Sequence, residues 1–304
     1  MKKRYFFYVG TIFILCLFIT SSSWAGQVVT QDNRGWAKKV LEEEKTLQAL
    51  EGKNTVAVLY FQNKTNQSDL DPLQKGLTLM LITDLSKVGG LQVIERVRLQ
   101  ALIEEMGLGT TGLVAPEAAP RVGRLLGAQW IVGGEILKGP ADQLNLQSNP
   151  LEVPTQKILG QLMTGGQLEE LFRMEKDLLF EIVKLLKIDV RPIEHELRKP
   201  CSTNLRALMA LFRAIDASDQ KNYESAAEFY EKALKEDPAI CIAKEALKEL
   251  ERLKLVPMAK RSPSLLRSLR EGTSLNDQLT PTPETKREVR PPDSPKTRPC
   301  KNCP

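Results

Sequence analysis

The stretch from Asp71 to Arg96, DPLQKGLTLMLITDLSKVGGLQVIER, contains a complete helix and the strand that follows it. Apolar residues recur every three or four positions, and this predicts a helix with one buried face that leaves Lys75 and Thr78 outside. The apolar positions are Leu73, Leu77, Met80, Leu81, Leu85 and Val88. Asp71-Pro72 suits a helix start, and Gly89-Gly90 suits a helix end. A short strand is expected over 91–95, so the unit is typical of layered α/β domains.

Comparable patterns on both sides extend this unit to an α/β domain over residues 55–192. The run TVAVLYF at 55–61 is almost entirely apolar, which is typical of a central strand covered on both faces. Further helices are expected at 99–106, 116–126 and 168–186, and further strands at 129–136, 143–148 and 156–163. The last two strands are interpreted as an edge hairpin, because prolines separate them. The expected fold class is α/β, with a mixed, three-layer-like sheet domain.

The first 25 residues have the three parts of a secretory signal: basic residues, an apolar run, and small residues before a cleavage point after Ala25. The competing interpretation is a membrane anchor, for which the apolar run is short. Lipid attachment at Cys16 fits less well, because Leu15 stands where a small residue is expected. We therefore expect an exported, periplasmic protein that begins near Gly26.

Residues 26–54 are expected to form a leader and a helix that precede the α/β domain. The leader, up to Asn33, is interpreted as flexible, and the helix is expected from Trp36 to Leu50. Apolar residues are sparse in this Glu- and Lys-rich segment, so the helix is expected to pack at few positions.

From residue 200 to 256 the composition changes to that of an Ala- and Leu-rich helical unit. Six of its residues have the spacing of a tetratricopeptide repeat, in which small residues let two antiparallel helices approach closely. These are the expected protein-binding residues Ala210, Ala214, Tyr223, Ala226, Tyr230 and Ala233. An ordinary helical hairpin is the alternative. Because one repeat rarely forms its own core, we expect the unit to lean on the α/β domain or on another chain.

The tail, residues 260–304, contains eight prolines and few aromatic residues, a composition typical of a disordered segment. Its ten basic and five acidic residues account for the formal net charge of +5 of the whole chain. Lys2, Lys3 and Arg4 of the signal add +3, so the part between signal and tail carries about −3, which argues against nucleic acid as a partner. We expect the tail to be solvated, and the alternative is peripheral contact with an anionic surface such as the outer membrane.

The residues that could act in catalysis or bind a cofactor or a metal do not form a recognisable site. The pattern GLGTTG at 107–112 satisfies GxGxxG, but it follows a predicted helix instead of a strand, so its context argues against dinucleotide binding. His195 is the only histidine and stands on a polar connector. Four cysteines follow the signal, and their pairing stays open: Cys201, Cys241, Cys300 and Cys303.

Three runs within residues 55–135 resemble the CsgG family of curli production and transport components and the related TolB-amino-terminal-like modules. They are VAVLYFQN, LQKGLTLMLITDLSKVGGLQVIERVRLQALIEEMGLGTTGLV and RVGRLLGAQWIVGGEI. The resemblance implies a non-enzymatic α/β domain of the cell envelope that tends to form homo-oligomeric rings. A long helix such as that at 168–186 also follows the edge strands in such proteins.

Secretion-channel members of that family carry a lipid on an N-terminal cysteine and insert amphipathic hairpins into the outer membrane. The segments between the predicted strands are too short for membrane strands of about ten residues. We therefore expect a periplasmic scaffold that acts in assembly or secretion by self-association and by binding other envelope proteins. The alternative is a subunit of an oligomeric outer-membrane secretion channel.

Overall fold

The computed structural model describes residues 27–45, 53–200 and 202–256. The predicted signal at 1–25, the tail at 260–304 and the cysteines Cys201, Cys300 and Cys303 lie outside these ranges, so those predictions stay as they stand. Among the described residues, every helix is too short or too polar to cross a bilayer.

The described elements are short strands alternating with helices. The strands are β1 (Thr55–Val58), β2 (Gln62–Asn63), β3 (Gln92–Val93), β4 (Trp130–Val132), β5 (Gly134–Lys138), β6 (Leu144–Ser148), β7 (Leu151–Glu152), β8 (Lys157–Ile158) and β9 (Leu162–Gly166). The helices are α1 (Gln31–Glu42), α2 (Pro72–Leu85), α3 (Arg96–Glu105), α4 (Ala119–Leu126), α5 (Leu171–Leu185), α6 (Glu194–Leu197), α7 (Leu205–Asp219), α8 (Tyr223–Glu236) and α9 (Cys241–Arg252). This is a mixed α/β fold.

The strands form two mixed sheets. The first has the order β3-β1-β4-β7-β8, with β1 parallel to both of its neighbours and the later pairs antiparallel. Every residue of β1 is buried, as the apolar run predicts for a central strand. The second sheet has the order β2-β5-β6-β9, with β2 and β5 parallel and the other pairs antiparallel.

Two of the strand predictions are wrong in detail. The single strand expected at 129–136 is divided between β4 and β5, so the chain passes from one sheet to the other at Gly133-Gly134. A Cβ at Gly134 would lie 1.9 Å from the backbone oxygen of Gln147, so only glycine fits this crossing. The strand expected at 156–163 is divided between β8 and β9. The strand expected at 143–148 is β6, which pairs antiparallel with the edge strand β9, while β7 and β8 form a separate hairpin at the edge of the first sheet.

Helix α2 confirms the predicted apolar stripe but is buried on its other side as well. Leu73, Leu77, Leu81 and Leu85 are fully buried. Lys75 is also buried, with 3% of its surface exposed, because α7 packs against the polar face of α2. The amphipathic pattern therefore predicts the contacts of the apolar face of α2 but not the burial of its polar face.

The chain before the α/β domain is not a free leader. Gln27 and Val28 are buried, and α1 begins at Gln31, five residues before the predicted start. Thr30 caps this helix through a reciprocal pair of bonds with Asn33, which explains the early start. Helix α1 packs against α3, so this segment is part of the folded unit.

The last three helices match the helices expected in the 200–256 unit, and they lean on the α/β domain as expected. Helix α7 packs on α2 on one side and on α8 on the other, and α8 packs on α9. The ring of Phe212 lies over Gly76 so closely that a Cβ there would be 2.3 Å from it. Helix α5 crosses the second sheet at β9 and also contacts α2.

Candidate functional site

A group of polar side chains is buried where α2, α3 and α7 meet the first described residues. We call it the polar cluster and define it as Gln27, Tyr60, Lys75, Arg96 and Asp219. Each of these side chains is less than a tenth exposed. Burying so many polar groups is costly unless they bond to one another, so their geometry decides what the cluster does.

Arg96 is the centre of the polar cluster and connects three parts of the chain. Its Nη1 donates to Asp219 Oδ2 at 2.8 Å and to the hydroxyl of Tyr60 at 3.1 Å. Its Nη2 donates to the backbone oxygen of Gln27 at 2.6 Å, and its Nε donates to the side chain of Gln27 at 3.2 Å. The guanidinium thus ties α3 to α7 and to the N-terminal segment.

Lys75 gives Asp219 a second cation and reaches α7 at two points. Its Nζ lies 2.9 Å from Asp219 Oδ2 and 2.9 Å from Asp216 Oδ1. It also donates to the backbone oxygen of Thr110 at 3.0 Å. Two cations therefore face two carboxylates between α2, α3 and α7, and this balance of charge is what makes their burial tolerable.

The glycine-rich loop 107–112 packs against the polar cluster. It follows α3, and this is the context that argues against a dinucleotide site. The Thr110 oxygen accepts from Lys75 and, at 3.1 Å, from Gln100 Nε2. The hydroxyl of Tyr60 in turn donates a hydrogen bond to Gln100 Oε1, with 2.9 Å between the two oxygens. The loop thus serves as an acceptor for the cluster.

Burial and neighbouring charges keep Tyr60 neutral and Lys75 and Arg96 positively charged. Burial raises the pKa of Tyr60 to about 12, so its hydroxyl stays protonated and donates to Gln100. Burial, the largest single cause, lowers the pKa of Arg96 and of Lys75, but Asp219 and the other surrounding groups together outweigh it, so that the pKa of both is raised. The pKa values of Tyr60, Lys75 and Arg96 are all moved away from neutrality, so the geometry favours structural attachment over proton transfer.

Not every atom near the cluster has a partner. Within the described part of the chain, Asp219 Oδ1 and the hydroxyls of Ser218 and Tyr230 are buried without a hydrogen bond. Burial raises the pKa of Tyr230, which is therefore neutral. These atoms lose their bonds to water on folding without gaining new ones, so their burial reduces the stability of the folded protein.

A second buried group lies between α2 and α5. Lys176 Nζ pairs with Asp84 and lies 3.2 Å from Glu175 Oε2, while Lys87 Nζ lies 2.7 Å from Asp84 Oδ1. Burial, and next the negative charge of Asp84, raise the pKa of Glu175 to about 8. An adjacent cavity of about 20 Å³ borders Asp84 and Lys176, and it has room for about one water molecule.

The raised pKa of Glu175 predicts a pH dependence of stability. In the folded protein Glu175 keeps its proton up to about pH 8, whereas the ordinary value is 4.5, so the folded state binds more protons between these values. The free energy of unfolding therefore falls as pH rises through this range. We expect Glu175→Gln to remove this loss and to be more stable than wild type at pH 9 by about 1–3 kcal/mol, with little difference at pH 5.

Thermal unfolding at pH 5, 7 and 9 measures this effect. Glu181→Gln, on an exposed position of the same helix, is the matched control and should follow wild type at every pH. A Glu175→Gln variant that is less stable than wild type at pH 9 would contradict the assignment.

Of the six residues predicted to bind a protein, five are buried and line the contacts within the helical unit: Ala210, Ala214, Ala226, Tyr230 and Ala233. Tyr223, the first residue of α8, is half-buried. The structure thus brings them together as close-packing positions, as the spacing implies. Their contact with a partner stays a prediction, and a partner would meet the outer faces of the same helices first.

In the part of the chain that the structure describes, two edge strands each carry a large apolar side chain that is exposed to solvent. Ile158 on β8 is 60% exposed and Met163 on β9 is 59% exposed. Along β6 and β9 alternate side chains differ in burial, and Met163 belongs to the more exposed set, since α5 covers the other face. Each of these strands has only one neighbouring strand in its sheet, and at β9 the Gly165 oxygen accepts from Arg173 Nη2 at 2.8 Å.

Sequence reasoning missed the polar cluster. Lys75 and Arg96 have the appearance of ordinary exposed cations on helices, and Arg96 and Asp219 are 123 positions apart in the chain. A usable signal was the Ala- and Leu-rich pattern of α7, in which Arg206, Arg213 and Asp216 form only a narrow polar stripe, so that most of the helix surface is expected to be covered.

Comparison with known proteins gives one family match and several distant structural likenesses. The model of the family described as curli production assembly/transport component CsgG matches residues 37–138, from within α1 to the end of β5. This match agrees with the resemblance found in the sequence and fits a cell-envelope protein. No curated protein matches the chain.

Among solved structures, the C-terminal domain of LpoB from Salmonella enterica is 20% identical with a TM-score of 0.33, and the alignment covers 45% of this chain and 98% of that one. Lipoprotein GNA1162 from Neisseria meningitidis is 12% identical with a TM-score of 0.32, covering 38% and 81%. The hypothetical protein CT253 from Chlamydia trachomatis is 17% identical with a TM-score of 0.25, covering 48% and 98%. Likenesses at this level carry no argument about function.

Proposed function

We propose that this protein is a non-enzymatic scaffold of the periplasm that supports assembly or secretion through self-association and through binding of other envelope proteins. The observation that carries the proposal is the match of residues 37–138 to a family described as an assembly and transport component. That segment includes the second half of α1, helices α2 to α4 and strands β1 to β5. The described titratable clusters suit structural roles, and we assign no catalytic residue.

The attachment of the helical unit supports the scaffold role. Helix α7 is held on α2 by Phe212 over Gly76 and by the ion pairs of Asp219 with Lys75 and Arg96. A helical unit fixed in this way presents its outer faces in one orientation relative to the sheets. A rigid orientation lowers the entropic cost of binding, and this suits a protein that holds partners in place.

We assign self-association to the β9 edge, with a second copy of this chain as the occupant. Met163 supplies an exposed apolar anchor there, on a strand that has a neighbouring strand on one side only. Strand addition at such an edge supplies backbone hydrogen bonds, and the apolar side chain adds buried area. A tetratricopeptide-like role for α7 and α8 would leave their outer faces for a different envelope protein.

The β9 assignment predicts the effect of one substitution. Met163→Glu should weaken self-association of the chain 26–304 by at least tenfold, because a carboxylate at the edge opposes burial and repels its own copy. Stability should change by about 0.5 kcal/mol or less, since the site is on the surface. Light scattering over a concentration series measures the association, and thermal unfolding measures the stability.

Leu253→Glu is the matched control. Leu253 is also a large apolar side chain exposed to solvent, but it lies just after α9 and not on β9. It should associate like wild type. If Met163→Glu and wild type have the same mass at every concentration, the β9 edge is not the contact. If the wild-type chain is monomeric throughout, the self-association part of the proposal fails.

The alternative function, a subunit of an outer-membrane secretion channel, predicts different behaviour in cells. A channel subunit would require detergent for extraction and would migrate as a large ring. The scaffold is expected in the periplasmic fraction without detergent.

A further inference from the structure

The edge of β9 is covered over part of its length by two side chains at the start of α5. Arg173 Nη2 donates to the backbone oxygen of Gly165 at 2.8 Å. Just past the strand, the backbone N–H of Gln167 donates to Glu170 Oε2 at 2.9 Å. A strand added to this half of the edge has to compete with both bonds, whereas the side chain at Met163 is exposed.

The pairing of the second sheet shows which backbone groups of β9 point to its open side. In the hairpin of β5 and β6, Gly139 N donates to the Gln143 oxygen at 2.8 Å. Bonded and non-bonded positions alternate in antiparallel pairs, so the odd-numbered residues of β6 bond to β5 and the even-numbered ones bond to β9. Their partners on β9 are also even-numbered. The backbone groups of Met163 and Gly165 therefore point away from β6.

Arg173 is held over this edge by two carboxylates. Its Nε donates to Glu170 Oε1 at 3.1 Å, and its Nη1 donates to Asp177 Oδ2 at 2.7 Å. The planar guanidinium has donors on several sides, so it bonds to both carboxylates and to the Gly165 oxygen at once. All three charged side chains are about half exposed, and exposed ion pairs contribute little to stability. This arrangement suits control of the edge better than stabilisation of the fold.

A glycine at the end of β9 leaves room for the two side chains. A Cβ at Gly166 would lie 2.5 Å from Arg173 Nη2 and 2.7 Å from Glu170 Oε2, which is closer than real Cβ contacts. Glycine thus lets the guanidinium and the carboxylate approach the strand closely. Charged groups placed on an edge strand are a common way in which proteins limit the pairing of one sheet with another.

We propose that Arg173 guards the edge of β9, so that a second copy of this chain pairs at Met163 while the segment at Gly165 stays closed. The proposal rests on the self-association assigned to this edge under the proposed function, and it adds how that contact is limited. In an antiparallel pair of two such edges centred on Met163, Gly165 of each copy lies opposite residue 161 of the other. Removal of the guard therefore frees one more backbone acceptor in each copy.

A double substitution removes the guard without changing the net charge. Arg173→Ala with Asp177→Ala deletes one positive and one negative charge, and Glu170 keeps its bond to Gln167. In the chain 26–304 the dissociation constant of self-association should fall about tenfold, because a Gly165 oxygen of each copy gains a backbone bond across the contact. Analytical ultracentrifugation over a concentration series measures this change. The unfolding midpoint should stay within about 3 °C of wild type.

Two further variants show whether the gain arises at β9. Lys184→Ala with Glu181→Ala is the matched control, because it removes an exposed pair of opposite charges further along the same helix. It should associate like wild type. Addition of Met163→Glu to the Arg173 and Asp177 double variant should abolish the gain, since both changes act on the same edge.

The outcomes separate this inference from the function on which it rests. If wild type associates and the double variant associates equally or more weakly, the guard is wrong and the self-association stands. If only the double variant associates, the guard is confirmed and the self-association of the wild-type chain is wrong. If neither chain associates, both are wrong. A gain that Met163→Glu does not remove, or that the Lys184 and Glu181 control shares, also overturns the guard.

Discussion

Asp219→Ala is expected to reduce the free energy of unfolding by about 3–5 kcal/mol, the largest effect of any single substitution that we predict. The reason is that Asp219 Oδ2 is the shared acceptor of Arg96 at 2.8 Å and of Lys75 at 2.9 Å. Removing it leaves two buried cations with little compensation. Urea unfolding followed by circular dichroism measures the loss.

A matched control on the same helix separates this effect from a general loss of charge. Asp216 also pairs with Lys75, but its side chain is 32% exposed, so water can replace it. Asp216→Ala should therefore cost about 1 kcal/mol or less. Equal losses for the two variants would contradict the view that burial of the Asp219 pairs makes the difference.

Gly76→Ala is expected to cost about 1–3 kcal/mol or more, because it inserts a methyl group between two packed helices. The new Cβ would lie 2.3 Å from the ring of Phe212, which is fully buried. Helix α7 must then move from α2. Thermal unfolding measures the loss, and Gly35→Ala is the control, since a Cβ at Gly35 meets nothing within 4 Å.

A second substitution tests whether the Phe212 ring is the cause. Phe212→Leu in the Gly76→Ala background should recover part of the lost stability, while Phe212→Leu alone should be destabilising. If the two substitutions are additive, the helices do not meet at this point as described.

The sequence predicts much of the α/β domain, because local patterns determine it. The apolar stripe of α2, the buried run at 55–58 and the long helix α5 each have a periodicity that can be recognised without knowledge of the rest of the chain. The division of 129–136 between two sheets could not be predicted in this way. It depends on the backbone of Gln147 approaching Gly134 from a later strand.

The candidate site is less predictable, because its parts come from distant segments. The pattern of α2 places Lys75 on a solvent face, and only the later helix α7 turns that face into an interior. For the same reason residues 26–33 were expected to be flexible, although Gln27 is held by Arg96 and by Glu249. The local sequence of a segment does not show which residues, distant in the chain, will pack against it in the fold.

Fractionation of cells that produce the full chain, with mass determination of the mature protein, tests the central claim most directly. The scaffold account predicts a species in the periplasmic fraction whose mass corresponds to a chain that begins at Gly26. A species that carries lipid on a cysteine, remains in the outer membrane until detergent is added and elutes as a large ring would contradict it. That result would make the secretion channel the better description of this protein.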